Sequence, residues 1–125
     1  MIKEVNTMNA PQAIGAYSQA IKTDNMLFIS GQIPLNPNTA SIPSSIEEQT
    51  KQCLENLKEI LLEANMTFAN VVKCGIFIRN MEDFSKINNI YSTYFNKPYP
   101  ARFVVEVSKL PKDVLIEIEA IAVVK

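Results

Sequence analysis

Val114-Leu115-Ile116-Glu117-Ile118-Glu119-Ala120-Ile121-Ala122-Val123-Val124 is the stretch whose reading decides the fold. Side chains alternate across a strand, so Val114, Ile116, Ile118, Ala120, Ala122 and Val124 share one wholly apolar face. Leu115, Glu117, Glu119, Ile121 and Val123 share the other. A face without one polar residue has to lie under something. The chain supplies two segments of helical periodicity able to cover it, which points to a layer of helices on one side of a sheet.

Moving back from that strand, Lys109-Leu110-Pro111-Lys112-Asp113 reads as a turn, and Phe103 to Ser108 as the strand before it. Asn96, Lys97 and Pro98 end a helix that starts at Asn80-Met81-Glu82-Asp83 and runs to about Phe95, with Phe84, Ile87, Tyr91, Tyr94 and Phe95 at helical spacing. Asn70 to Arg79 is β-branched and apolar at strand length. Ser45-Ile46-Glu47-Glu48 has the capping-box arrangement and opens a longer helix, whose stripe is Ile46, Thr50, Cys53, Leu57, Ile60, Leu61 and Ala64 and whose stop is Asn65. Gly31 to Ser44 collects Pro34, Pro37 and Pro43 with Asn36, Asn38 and Thr39, the composition of a long ordered loop near a site. Ser18 to Ile21 and Met26 to Ser30 flank the turn cluster Lys22-Thr23-Asp24-Asn25 as a β-hairpin. The order is ββ, α, β, α, ββ: an α+β fold, two helices on one face of a mixed sheet, in a single domain of residues 1–125.

The 125 residues carry 12 basic and 13 acidic side chains and no histidine. Without imidazole, Ser-His-Asp and Cys-His nucleophiles and histidine-based zinc sites are excluded. A net charge of -1 argues against a phosphate-tracking surface, so nucleic acid is not an expected partner. Cys53 and Cys74 belong to no ligand pattern and read as two reduced thiols, one on the helical stripe and one on a strand. With an acid in Met1-Ile2-Lys3-Glu4-Val5 and no run of membrane-spanning length, the chain reads as soluble and cytoplasmic, without a membrane partner.

Extending the alternation to the other strands puts Leu27, Ile29, Cys74, Ile76, Ile78, Phe103, Val105 and Val107 under the helices. It puts Phe28, Ser30, Lys73, Phe77, Arg102, Val104 and Glu106 on the opposite face with Glu117 and Glu119. That second face is too apolar for a solvated one, and the domain has no third layer to cover it, so self-association is expected. Only two basic residues are arginines, the side chain suited to a two-point grip on a carboxylate. Arg79 reads as a solvated strand end. Arg102 follows the stiff Pro98-Tyr99-Pro100-Ala101 approach and is expected beside Glu117 and Glu119, as a site candidate or as an interface ion pair.

Several motifs, in order, resemble the RidA/YjgF reactive-intermediate deaminases: Asn9-Ala10-Pro11, Ile14-Gly15-Ala16-Tyr17-Ser18-Gln19, Ser30-Gly31-Gln32-Ile33-Pro34, Pro100-Ala101-Arg102, Val105-Glu106-Val107, and Leu110-Pro111-Lys112-Asp113 to Ile116-Glu117-Ile118-Glu119-Ala120. The resemblance spans the chain. It implies a chorismate-mutase-like homotrimer with clefts between neighbouring subunits, and hydrolysis of 2-imino acids such as 2-iminopropanoate and 2-iminobutanoate to 2-oxo acids and ammonia. It assigns carboxylate binding to Arg102 and water activation to Glu117, and gives Tyr17, Ser30, Gly31 and Asn88 substrate-binding positions. Many members carry a small residue and a cysteine after Pro-Ala-Arg, where this chain has Phe103 and Val104. The resemblance leaves to Val104 only its backbone amide as a carboxylate contact.

A protonated imine is already electrophilic at carbon 2, so the reaction calls for no metal or cofactor, only orientation and a base for one water. Two rival readings are a carboxylate-binding or chaperone-like trimer without turnover, and an endoribonuclease. Ten scattered lysines with no basic stripe speak against the second.

Overall fold

The computed structural model describes all 125 residues. Its strands are β1 (Lys3–Val5), β2 (Ala20–Lys22), β3 (Met26–Gln32), β4 (Val71–Ile78), β5 (Ala101–Glu106) and β6 (Ile116–Val123), and its helices α1 (Ile46–Glu63) and α2 (Phe84–Tyr91). The strands form one sheet in the order β1-β2-β3-β6-β4-β5. β4 and β5 are parallel, and β6 enters antiparallel between β3 and β4. The connections β3-α1-β4 and β4-α2-β5 are therefore two crossovers stepping in the same direction. Crossovers share one hand, so both helices land on the same side. The mixed sheet with two helices on one face is the architecture read from the sequence.

Local signals act where they stand. Ser45 caps α1, its Oγ accepting from the Glu48 amide at 3.1 Å. Glu47 and Glu48 complement the helix dipole, and Asn65 ends the helix in the left-handed region at φ 58°. Cys53, Leu54, Leu57, Ile60 and Leu61 of α1 are fully buried against the sheet. Leu27, Ile29, Cys74, Ile76, Ile78, Ile116, Ile118, Ala120 and Ala122 meet them, none more than 4% exposed. Both cysteines are free and buried. No helix is long and apolar enough to cross a membrane.

The fold departs from the sequence pattern at several points. The chain has an extra edge strand, β1, paired with β2. Val5 is its one buried side chain, too little to make a hydrophobic pattern. Gly31 belongs to β3 rather than to the following loop, at a register shift between Ile29 and Gln32 opposite β6. The second helix ends at Tyr91, and Ser92–Tyr94 continues as one 3-10 turn.

The larger correction concerns β5. It is not the neighbour of β6, because β4 lies between them. Its faces are also the reverse of those expected. The parallel register sets Arg102 beside Cys74, Val104 beside Ile76 and Glu106 beside Ile78, all toward the helices, while Phe103 pairs with Gly75 and Val105 with Phe77 on the open face. Val104 packs against the core and Val105 is exposed. The Phe103 ring packs edge-on to Phe77 with Lys73 over it, and fills the space that a side chain at Gly75 would need. Phe103-Val104-Val105 is apolar in either phase, so alternation had nothing to choose by. The choice is made by non-local pairing with β4.

The open face of the sheet presents Phe28, Phe77, Phe103, Val105, Ile121 and Val123 around Lys73, Glu117 and Glu119. Phe28 and Val105 are exposed within the chain.

Candidate active site

Arg102 stands at the rim between the edge strand β5 and α2. Its Nη1 donates to Asn88 Oδ1 at 2.8 Å. Its guanidinium carbon lies 4.9 Å from the Tyr91 ring centroid and 5.4 Å from that of Phe84. Phe84, Asn88 and Tyr91 are spaced i, i+4, i+7 and so share one stripe of α2. Arg102, Asn88, Tyr91, Ser92, Tyr99 and Pro100 line a cleft of about 460 Å³. No carboxylate pairs with Arg102: the ion pairs of the chain are Met1 with Asp24 and Lys51 with Glu48. The arginine is thus held by neutral groups, and most of its five N–H donors are unspent.

Beneath it, the Cys74 thiol is pushed up chiefly by burial. The Tyr91 hydroxyl is buried beside that thiol, and burial first, then the Cys74 neighbour, holds its pKa well above the usual phenol range.

Glu117 lies elsewhere. It is on the open face, opposite Phe77 of β4, with its carboxylate packed directly over Gly31. A Cβ at Gly31 would overlap that carboxylate, so the absence of a side chain there is what admits it. Glu117 is half-buried and its pKa is raised, first by desolvation and then by Glu119 on the same face. Ser30 sits in a groove with Ser18, Phe28, Glu119 and Ile121, and its Oγ donates to the Ser18 carbonyl at 2.7 Å.

Tyr17 is exposed on the loop before β2, and its Oη accepts from the Ile14 amide at 3.4 Å. Gly15, at φ 118°, makes the turn that presents it. The loop is anchored by the buried Gln19. Its side chain accepts from the Thr7 amide and donates to the Thr7 and Pro11 carbonyls at 2.8–3.0 Å.

Five of the seven predicted residues thus fall into two groups, with Tyr17 apart on its exposed loop and Val104 packed against the core. Arg102 and Asn88 meet on the helix side, while Ser30, Gly31 and Glu117 gather on the open side. The expected proximity of Arg102 to Glu117 and Glu119 within the chain is not found. Arg102 is level with Ala120 through Cys74, two strands and three residues from Glu117, or about 14 Å between backbones at ordinary sheet spacings, and on the opposite face. Sequence reasoning overlooked Phe84 and Tyr91 as site residues, because an aromatic stripe on a helix reads as core. A polar Asn88 in the middle of that stripe was the available signal. No group of three or more histidine, cysteine, aspartate or glutamate side chains is arranged to hold a metal ion.

Residues 7–124 match the family model described as endoribonuclease L-PSP. A RutC family protein of Pyrococcus horikoshii is 53% identical over 123 residues, covering 98% of each chain. The 2-iminobutanoate/2-iminopropanoate deaminase of Escherichia coli is 45% identical over 126 residues, again covering 98% of each. The crystal structure of Escherichia coli TdcF with bound serine superposes with a TM-score of 0.95 at 42% identity, over 98% of this chain and 99% of that one. With its full-length match and its sheet, helices and topology in common with these structures, the chain belongs to the endoribonuclease L-PSP family, the YjgF/RidA proteins.

Proposed function

We propose that the protein hydrolyses 2-imino acids such as 2-iminopropanoate and 2-iminobutanoate to 2-oxo acids and ammonia, in clefts shared between subunits of a homotrimer. The observation that carries this reading is the placement of an unpaired, preorganised arginine and a desolvated glutamate on opposite faces of one sheet. No small substrate reaches both within one chain. A second copy laid against the open face covers its aromatic and aliphatic residues and sets one chain's Arg102 across a substrate-sized cleft from its neighbour's Glu117. The deaminase relative and the relative that binds serine, an amino acid with the same carboxylate, support the substrate class.

In this reading the substrate carboxylate takes two N–H groups of Arg102, with the Asn88 amide nitrogen beside it and the Val104 backbone amide as a further donor. Glu117, ionised, removes a proton from a water as its oxygen attacks carbon 2 of the protonated imine. The adduct carries a hydroxyl and an amine on that carbon. Glu117 returns the proton to the amine nitrogen, the carbon–nitrogen bond breaks to release ammonia, and the hydroxyl proton passes through Glu117 to that ammonia as the carbonyl forms. One imine and one water give one 2-oxo acid and one ammonium ion. A base whose pKa is raised by desolvation returns a proton more readily than an ordinary carboxylate, which suits the second transfer. Tyr17 and the Ser30–Gly31 backbone close the cleft around the imine.

The test couples a threonine or serine dehydratase to added protein and follows release of 2-oxo acid. Wild type accelerates release, and Arg102→Lys, which keeps the charge but not the planar two-point grip, does not. An undiminished rate in Arg102→Lys overturns the assignment. A carboxylate-binding trimer without turnover would need only the arginine end, so acceleration by wild type also decides against that alternative.

A further inference from the structure

We infer that Phe84 and Tyr91 are positioning residues: an aromatic bracket that fixes the plane of the Arg102 guanidinium before any ligand arrives. The inference rests on the arginine's role as a carboxylate clamp given above and adds what sets its orientation. The bond to Asn88 Oδ1 at 2.8 Å fixes one direction within the guanidinium plane. The rings at 4.9 and 5.4 Å restrain the tilt of that plane, because a planar cation is attracted to aromatic faces. Together they leave the remaining N–H edge for the cleft that Ser92, Tyr99 and Pro100 complete. Arg102 itself is exposed, and a free arginine in that position would surrender many rotamers on binding.

Tyr91 contributes its ring rather than its hydroxyl, since that oxygen is buried beside the Cys74 thiol and makes no hydrogen bond to Arg102. Phe84 offers the same kind of surface without any polar atom. An acidic partner would hold the arginine more firmly but would compete with a carboxylate ligand. Two rings and an amide hold it without competing, which suits recognition of a small carboxylate by both of its oxygens.

The chain has two arginines, so the side-chain Nε–Hε region of a nitrogen–proton NMR spectrum holds two signals. In the wild-type protein the Arg102 signal is expected upfield of Arg79 and slower to exchange, from ring current and restraint. Phe84→Leu, at a half-buried position, should move it toward Arg79 and weaken binding of 2-oxobutanoate about fivefold, raising KM with little change in kcat. Tyr91→Leu should do the same, and Tyr91→Phe should leave signal and affinity at wild-type values. The bracket is overturned if the two wild-type arginine signals coincide, if folded Phe84→Leu binds 2-oxobutanoate as tightly as wild type, or if Tyr91→Phe loses as much as Tyr91→Leu. Shifted signals and bracket-dependent binding in a protein that does not speed imine hydrolysis would support the bracket and reject the deaminase reading. Hydrolysis with coincident signals would do the reverse.

Discussion

The two ends of the candidate site are built differently. The Arg102 end is finished within one chain: α2 supplies an amide and two aromatic faces, and the guanidinium is held yet free of any acid. The Glu117 end is unfinished. Its carboxylate lies over Gly31 on an open apolar face, partly desolvated, with Glu119 as a like-charged neighbour. A preorganised cation that keeps its donors for a ligand is a binding device, and a carboxylate whose pKa is raised by desolvation suits proton transfer. With the sheet between them, the proposed reaction brings the two devices together only across a subunit boundary.

Breaking the Glu117 end or the contact between chains should have the largest effects. Glu117→Gln is expected to reduce kcat by about 10²–10⁴-fold while leaving affinity for a 2-oxo acid close to wild type, as for loss of a general base. Stopped rates and 2-oxobutanoate binding on the same preparation separate the two quantities. Ile121→Asp sets a charge in the middle of the open face. It should turn the assembled protein into monomer by light scattering and abolish imine hydrolysis, although the Arg102 end remains intact in each chain.

Smaller changes sharpen the contrast. Gly31→Ala pushes against the Glu117 carboxylate and should lower kcat about tenfold, with carboxylate affinity retained. Asn88→Ala removes a charge-assisted hydrogen bond and should raise KM about tenfold, with the acid limb of the pH–rate profile unmoved.

The smallest effect is on stability. Because the Glu117 pKa is raised in the fold, its contribution is fully present below the ordinary glutamate range and is lost as pH rises through the raised value. In the dissociated Ile121→Asp chain, where no neighbouring arginine faces the carboxylate, a further Glu117→Gln should therefore gain thermal stability at neutral pH and show no difference at acid pH. A constant difference across that range would place the cause outside this ionisation.

Which parts of the fold were legible follows from the range of the forces that decide them. The inner face of β6 and the stripe of α1 are written as residue patterns, and Ser45 marks the start of α1 by its own hydrogen bond. β1 hangs on one buried valine and leaves no pattern. The phase of β5 is fixed by its parallel register with β4, so Phe103-Val104-Val105 alone could not disclose that Arg102 turns toward α2. The same gap hid the division of the site. Arg102 and Glu117 could be picked out as residues, but their separation depends on β6 inserting beside β4, a pairing between segments distant in sequence.

The central claim, that each working cleft draws its arginine and its glutamate from different chains, is tested most directly by mixing two inactive variants. Arg102→Lys and Glu117→Gln are denatured together in equal amounts, refolded, and assayed for imine hydrolysis against each variant alone. Random assortment into closed trimers gives roughly a quarter of the clefts an intact Arg102 facing an intact Glu117, so activity should recover to about a quarter of wild type. A mixed preparation of full assembly that is no more active than the separate variants would contradict the account.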